Sequence, residues 1–342
     1  MPVPAGCASL TRIGVFFVFV LVLTNSCLHG RQLDAPADVD RLVAQLTSED
    51  PKTADQAKRE LEGMGTRIVP VLFHKLLVAD WTLRPRLLEV LSAQGSEFAK
   101  QKLKDGTDTE KIYAALVYEL SVACSAEDFE YDAPEFAAMV EALLKAIKNE
   151  DKYLRAAAGA ALVYDEESTA WFRHFHEIVP ALISSFDTDL IIDRCNRGGP
   201  VEIVLIVICY NLTALIGDRV IDAEELLFAG PPDSSPQEGL NARAVIGKRL
   251  ADKRSEVDRL RTSWQTWWKD HSNLTAVEIG VLMIERNLGI LAAKSSSKDD
   301  WSIMTANWSL EKWTGTCEAS EEWGDWWKRK RATYDGPTDR RK

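Results

Sequence analysis

The side chains best suited to chemistry sit in a few short stretches. His174-Phe175-His176-Glu177 is the one place where metal-ligating residue types crowd together. Its alternating spacing suits a strand or loop, while the residues around it read as helical, and His74 and His271 stand far off in sequence. A zinc site needs three or four convergent ligands, so this stretch does not read as a metal site and no metal residue is assigned. Cys124, Cys195, Cys209 and Cys317 match no metal-ligand spacing either, and Cys209, inside an apolar run, reads as a small core residue.

The most distinctive feature is a duplicated tryptophan cluster. Trp264-Gln265-Thr266-Trp267-Trp268-Lys269 returns as Trp323-Gly324-Asp325-Trp326-Trp327-Lys328, with the tryptophans and the lysine at matching places. On a helix, positions i, i+3 and i+4 share one face, so each copy is expected to form a compact aromatic patch. Exposed, such a patch would stack on sugar rings; buried, it would close a hydrophobic core or cover the end of a helical stack. Large aromatics at helical spacing are core as a rule, which favours closure and leaves carbohydrate binding as the rival.

Other chemistry finds little footing. No glycine-rich phosphate loop, nucleophile elbow or suggestive carboxylate pair occurs. The acidic stretch Ser125–Asp132 lacks the glycine and ligand period of a calcium loop, and reads as a solvated loop or a contact for a basic partner. Asn-x-Ser/Thr sequons at Asn211, Asn273 and Asn307 matter only in a eukaryotic cell. Catalytic and cofactor-binding residues are therefore expected to be none. A net charge of −11 lacks the basic footprint of a nucleic-acid binder.

The elements that carry these residues read as helices almost throughout. Between Val39 and Gly95 apolar residues recur at helical spacing in four short runs: Val39, Leu42, Val43 and Leu46; Ala54, Ala57 and Leu61; Ile68, Val71, Leu72 and Leu76; Leu83, Leu87, Leu88 and Leu91. Helices joined this tightly must pair, and no single pair can bury its own apolar face, which is the logic of a helical solenoid. Pro134 opens an amphipathic helix, and an alanine-rich partner follows from Asp151. Pro200–Gly217 is apolar on all sides and reads as a central buried helix rather than a membrane span.

The N-terminus has the layout of a secretory signal. Arg12 precedes an unbroken apolar run, Ile13–Leu23, and small residues lead up to Cys27. Residues 1–30 are assigned to this signal, which places the mature protein outside the cytoplasm: periplasmic, secreted or envelope-associated. Leu23-Thr24-Asn25-Ser26-Cys27 is similar to a degraded bacterial lipobox, so Cys27 is a candidate for lipidation, with ordinary cleavage preferred. Membrane contact is expected only through this signal or anchor.

Two internal echoes add to the repeat reading. Asp80-Trp81-Thr82-Leu83-Arg84 returns 71 residues later as Asp151-Lys152-Tyr153-Leu154-Arg155, and Ile68-Val69-Pro70-Val71-Leu72 returns 110 residues later as Ile178-Val179-Pro180-Ala181-Leu182. Asp can cap a helix start, Arg can pair with it or with the next unit's Asp, and Pro fits a first helical turn. On these residues the chain from about Val39 to Gly217 resembles the HEAT-repeat family and its bacterial HEAT-like relatives. The Trp-x-x-Trp-Trp segments, each preceded by Leu212–Gly217 or Leu310–Gly315, are similar to the end of exported bacterial HEAT-like proteins.

The resemblance implies an all-α, right-handed solenoid of antiparallel helix pairs with a Trp-rich helical C-terminal part. The expected layout is HEAT-like repeats over 36–228, a linker or inserted loop at 229–239, the Trp-rich region at 240–330 and a basic flexible tail at 331–342. It further implies a scaffold that binds unknown protein partners without catalysis, and Pro70, Asp80, Arg84, Asp151, Arg155 and Pro180 as its structural signature. HEAT-like lyases and glycosylases are the enzymatic rival, disfavoured by the export signal and the acidic charge.

Overall fold

Prolines and short polar side chains start the helices. Asp50 accepts the backbone N–H of Lys52 at the head of a helix whose first residue is Pro51. Pro70 sits in the first turn of another, where a missing N–H is harmless. Thr107 and Glu110 form a capping box, the Thr107 N–H donating to Glu110 Oε2 at 2.9 Å and the Glu110 N–H to Thr107 Oγ1 at 3.3 Å. Thr275 and Glu278 repeat that box.

The computed structural model describes residues 36–124, 134–164, 170–187, 193–194, 202–216, 252, 254–294, 300–315 and 323–337. The expected signal with Cys27, the acidic loop and the linker at 229–239 lie outside the described residues. Helices run in the order α1 (Pro36–Gln45), α2 (Pro51–Gly63), α3 (Val69–Val78), α4 (Arg84–Ser92), α5 (Ser96–Asp105), α6 (Asp108–Cys124), α7 (Pro134–Ala146) and α8 (Lys152–Tyr164). They continue as α9 (Ala170–Arg173), α10 (Phe175–Ser185), α11 (Val204–Ile216), α12 (Arg254–His271), α13 (Ala276–Lys294), α14 (Asp300–Thr314) and α15 (Trp323–Lys330). The fold is all-helical apart from a two-residue antiparallel ladder, Asp193 opposite Ile203 and Arg194 opposite Glu202.

Helices this short are marginal alone, so packing must hold them. Leu72 and Leu76 of α3 and Leu87 and Leu91 of α4 are completely buried, each worth about 1.5–3 kcal/mol against exposure. Two helices act as hubs. Every residue from Ile112 to Ser121 of α6 is buried, and α3, α4, α5, α7 and α8 all pack on it. In α11, Val207–Cys209 and Asn211–Ile216 are buried, against α8, α10 and α14. The alanines of α8 allow close approach: a Cβ on Gly159 would lie 2.7 Å from Leu182 Cδ2 of α10. Among the described residues no helix is long and apolar enough to cross a membrane.

Two expectations need correction. Pro180 is not in a first turn; it lies inside α10, where its ring removes one helical hydrogen bond. The flexible tail expected from residue 331 is instead folded through Pro337, outside which residues 338–342 lie beyond the description. Arg331–Thr333 forms a 3₁₀ turn, the Tyr334 hydroxyl donates to the Trp313 carbonyl at 2.8 Å, and Gly336 lies against the Phe172 ring.

The α6 box also carries an ion pair, Lys102 Nζ to Glu110 Oε1 at 2.6 Å. The Lys102 ammonium first, then the Thr107 backbone and hydroxyl, lower the Glu110 carboxyl from 4.5 to about 2. A depressed folded value means that the stabilisation is complete above the ordinary value and is lost as pH falls through 4.5 towards about 2. Glu110→Gln should therefore flatten the acid limb of a stability-against-pH curve in that window; an unaltered limb would count against this cap.

Candidate functional site

The echoed aspartates share one local geometry. Asp80 Oδ1 accepts the N–H groups of Thr82 and Leu83, both at 3.0 Å. Asp151 Oδ1 accepts those of Tyr153 at 2.9 Å and Leu154 at 3.3 Å, the positions 71 residues on. The arginines then diverge. Arg155 turns back, its Nη1 donating to the carbonyls of Asn149 and Glu150 at 2.7 and 2.9 Å. Arg84 crosses to the other echo and donates to Asp151 Oδ2 at 3.4 Å.

Around that crossing lies a cluster the sequence did not flag. Trp81 Nε1 donates to the same Asp151 oxygen at 2.9 Å, and the Arg84 guanidinium lies 4.8 Å from the Trp81 ring centre and 5.2 Å from that of Tyr113. Trp81 also meets Tyr153 at 5.7 Å. One carboxylate thus caps α8 with one oxygen and with the other binds Trp81, just before α4, and Arg84, its first residue. Pairing Trp81 with Asp151 needs three dimensions, since the echo places Lys152, not an aromatic, at its counterpart.

The six cluster tryptophans do not behave alike. Trp264, Trp323, Trp326 and Trp327 are buried, while Trp267 and Trp268 are half-buried. The second copy makes one patch, with Trp326 at 6.2 Å from Trp323 and stacked on Trp327 at 6.1 Å. Trp327 meets Tyr334, and Trp323 Nε1 donates to Asn307 Oδ1 at 3.2 Å. The first copy sends its rings three ways. Trp264 packs edge-on to Phe186, Trp268 lies between Phe175 and His176, and Trp267 stacks on His271 at 4.3 Å. Trp326 and Trp327 stack at the same one-residue offset, so the divergence of the first copy comes from the different partners that α12 meets, Phe186, Phe175, His176 and His271.

Two further tryptophans complete the aromatic interior. Trp313 is fully buried, 5.1 Å from Trp171 and 5.5 Å from Phe175, with its Nε1 donating to the Ala214 carbonyl at 3.2 Å. Ser309 donates to that carbonyl too and accepts from Asn287, tying α11, α13 and α14 together. Buried Lys312 donates to the Val163 carbonyl, its ammonium 5.6 Å from the Trp171 ring. Burial raises the Tyr334 hydroxyl well above the usual tyrosine value, so it stays a donor to Trp313.

The remaining chemical candidates are engaged in structure. His174 Nδ1 lies 3.1 Å from Glu177 Oε1, and Lys148, the larger influence, together with His174 lowers the Glu177 carboxyl. Among the described residues no three His, Cys, Asp or Glu converge on a metal site. The Cys209 thiol, pushed up to about 12 by burial, is not a nucleophile at neutral pH. One groove of about 630 Å³ follows α12, lined by Asp258, Thr262, Thr266, Trp267, Asp270 and His271 among others.

Asp80→Ala removes the acceptor of two N–H groups in the turn leading into α4 and should cost about 1 kcal/mol. Asp151→Ala also strands the Trp81 N–H and Arg84, adding about 1–3 kcal/mol; equal losses in urea titration would contradict the crossing. Trp326→Ala should cost about 3–5 kcal/mol and half-buried Trp267→Ala under about 2. Unchanged melting in both would exclude core closure.

No protein-family model, curated protein or solved structure matches this chain.

Proposed function

We propose that the chain is an exported scaffold, a right-handed HEAT-like solenoid of antiparallel helix pairs that binds a partner protein and catalyses no reaction. The observation that carries it is that Asp80 and Asp151, 71 residues apart, accept the backbone N–H groups two and three residues on, Asp80 in the turn leading into α4 and Asp151 at the start of α8. A recurring cap at about twice the length of a paired-helix unit is what a stack of such units produces. Polar side chains bound into caps and cross-links, such as Asp151, hold helices in place and leave the outer surfaces to a partner.

The proposal has three separable parts, each with a measurement. Small-angle scattering of a solenoid should give a radius of gyration well above the about 20 Å of a compact chain of this size; a compact value removes the solenoid. N-terminal sequencing of the native protein should begin between about Cys27 and Leu33, and a start at Met1 or Pro2 removes export. Affinity capture from the native envelope fraction should enrich one protein over a tag-only control, and reproducible failure to do so removes the scaffold role.

The second reading, carbohydrate binding, is favoured by the half-buried Trp267 on the hydroxyl- and carboxylate-lined groove of α12. It predicts retention on a polysaccharide matrix that Trp267→Ala abolishes without changing thermal unfolding.

A further inference from the structure

We propose that the tip formed by Lys328, Arg329, Lys330 and Arg331 is a docking face for anionic phospholipid headgroups. This goes beyond the scaffold reading and does not depend on it. These are four consecutive cations in a chain whose 52 acidic residues outnumber its 41 Lys and Arg. All four are exposed at the end of α15 and the start of the 3₁₀ turn. A helix C-terminus favours one or two cations through its dipole, and four in a row exceed that need.

The tip is held rigidly. The opposite face of α15 buries Trp323, Trp326 and Trp327, and Tyr334, bonded to the Trp313 carbonyl, fixes the chain just beyond. Among the described residues, acidic groups pair with two of the four cations. Asp325 pairs with Lys328 at 2.8 Å, both largely exposed, and Glu285 pairs with Arg331 at 2.6 Å. Asp335 follows Tyr334 in the chain. Arg329 and Lys330 have no ion-pair partner among the described residues.

The shape of this cluster selects the partner. The cations project side by side from an exposed helix end, so they suit a flat array of negative charge. Clusters of four or more basic residues are what anionic lipid surfaces attract. The acidity of the remaining chain would be repelled by the same surface, so attraction is confined to contact through the tip, which fixes an orientation.

Vesicle flotation of the full chain tests this, with phosphatidylcholine alone against phosphatidylcholine mixed with phosphatidylglycerol. The expected result is binding to the anionic vesicles over the neutral ones, weakened by salt. At about fivefold per basic residue, Arg329→Gln/Lys330→Gln should lower the partition coefficient about twenty-five-fold, and Arg329→Glu/Lys330→Glu by more. Circular dichroism melting should be unchanged in both. Equal binding to both vesicle types overturns the proposal, as does wild-type partition by the Glu variant. Tighter retention on an oligonucleotide or on polyglutamate than on anionic vesicles at equal salt also overturns it, since the tip would then serve another polyanion.

Discussion

The fold depends on where Trp313 sits. Its ring meets Trp171 and Phe175, its indole N–H holds the Ala214 carbonyl of α11, and its own carbonyl receives Tyr334 from beyond α15. A Cβ on Gly280 of α13 would stand 2.9 Å from the ring, so no larger residue fits there without a shift. One residue, through its side chain and its backbone carbonyl, therefore touches or bonds elements drawn from α9 to the far C-terminus. Aromatic edge-to-face contacts add about 0.5–1.5 kcal/mol each beyond area burial, and here several converge on one residue.

The N-terminal half has a smaller counterpart in Asp151. Its carboxylate is hydrogen-bonded on both oxygens, capping α8 and anchoring Trp81 and Arg84. The Arg84 side chain is well covered and that of Asp151 about one-third exposed. Solvent screening therefore limits the ionic part, and cap geometry with the Trp81 bond supplies the specificity. Between these two points α6 and α8 transmit packing: α6 is buried on every side, and α8 is thin enough for α10 and α11 to press against it. The same arrangement fixes the cationic end of α15, because the tryptophans that bury one side of that helix are packed on the Trp313 region through Tyr334.

Much of this was legible in the sequence, for identifiable reasons. Helix existence followed from apolar period, and the caps at Asp80 and Asp151 followed from residue type and spacing. The all-round apolar pattern of α11 read as burial, and its described side chains, Val207–Cys209 and Asn211–Ile216, are buried. What sequence missed lies in long-range pairing. Trp171 and Trp313 are 142 residues apart, and Trp171 belongs to no repeated motif, so nothing local marks them as neighbours. Trp81 was visible only as the residue beside a capping Asp. Pro180 misled because an echo transfers residue identity without transferring position in the helix. The first Trp cluster misled similarly: shared spacing with the second fixes which residues face alike, not what packs against them. The tail was read as frayed from its charge, while the anchor that folds it, Tyr334, is a single aromatic among basic residues.

The central claim is that Trp313 joins the helices around α8–α11 to the C-terminal helices as one cooperative unit. Equilibrium urea unfolding with two probes tests it most directly. Far-UV circular dichroism follows all helices, whereas tryptophan fluorescence follows the C-terminal part, because nine of the 11 tryptophans lie beyond residue 260. The wild-type protein should give coincident transitions. Trp313→Ala should separate them, with fluorescence changing at lower urea than circular dichroism. Transitions in the variant that still coincide at the wild-type midpoint would contradict the account.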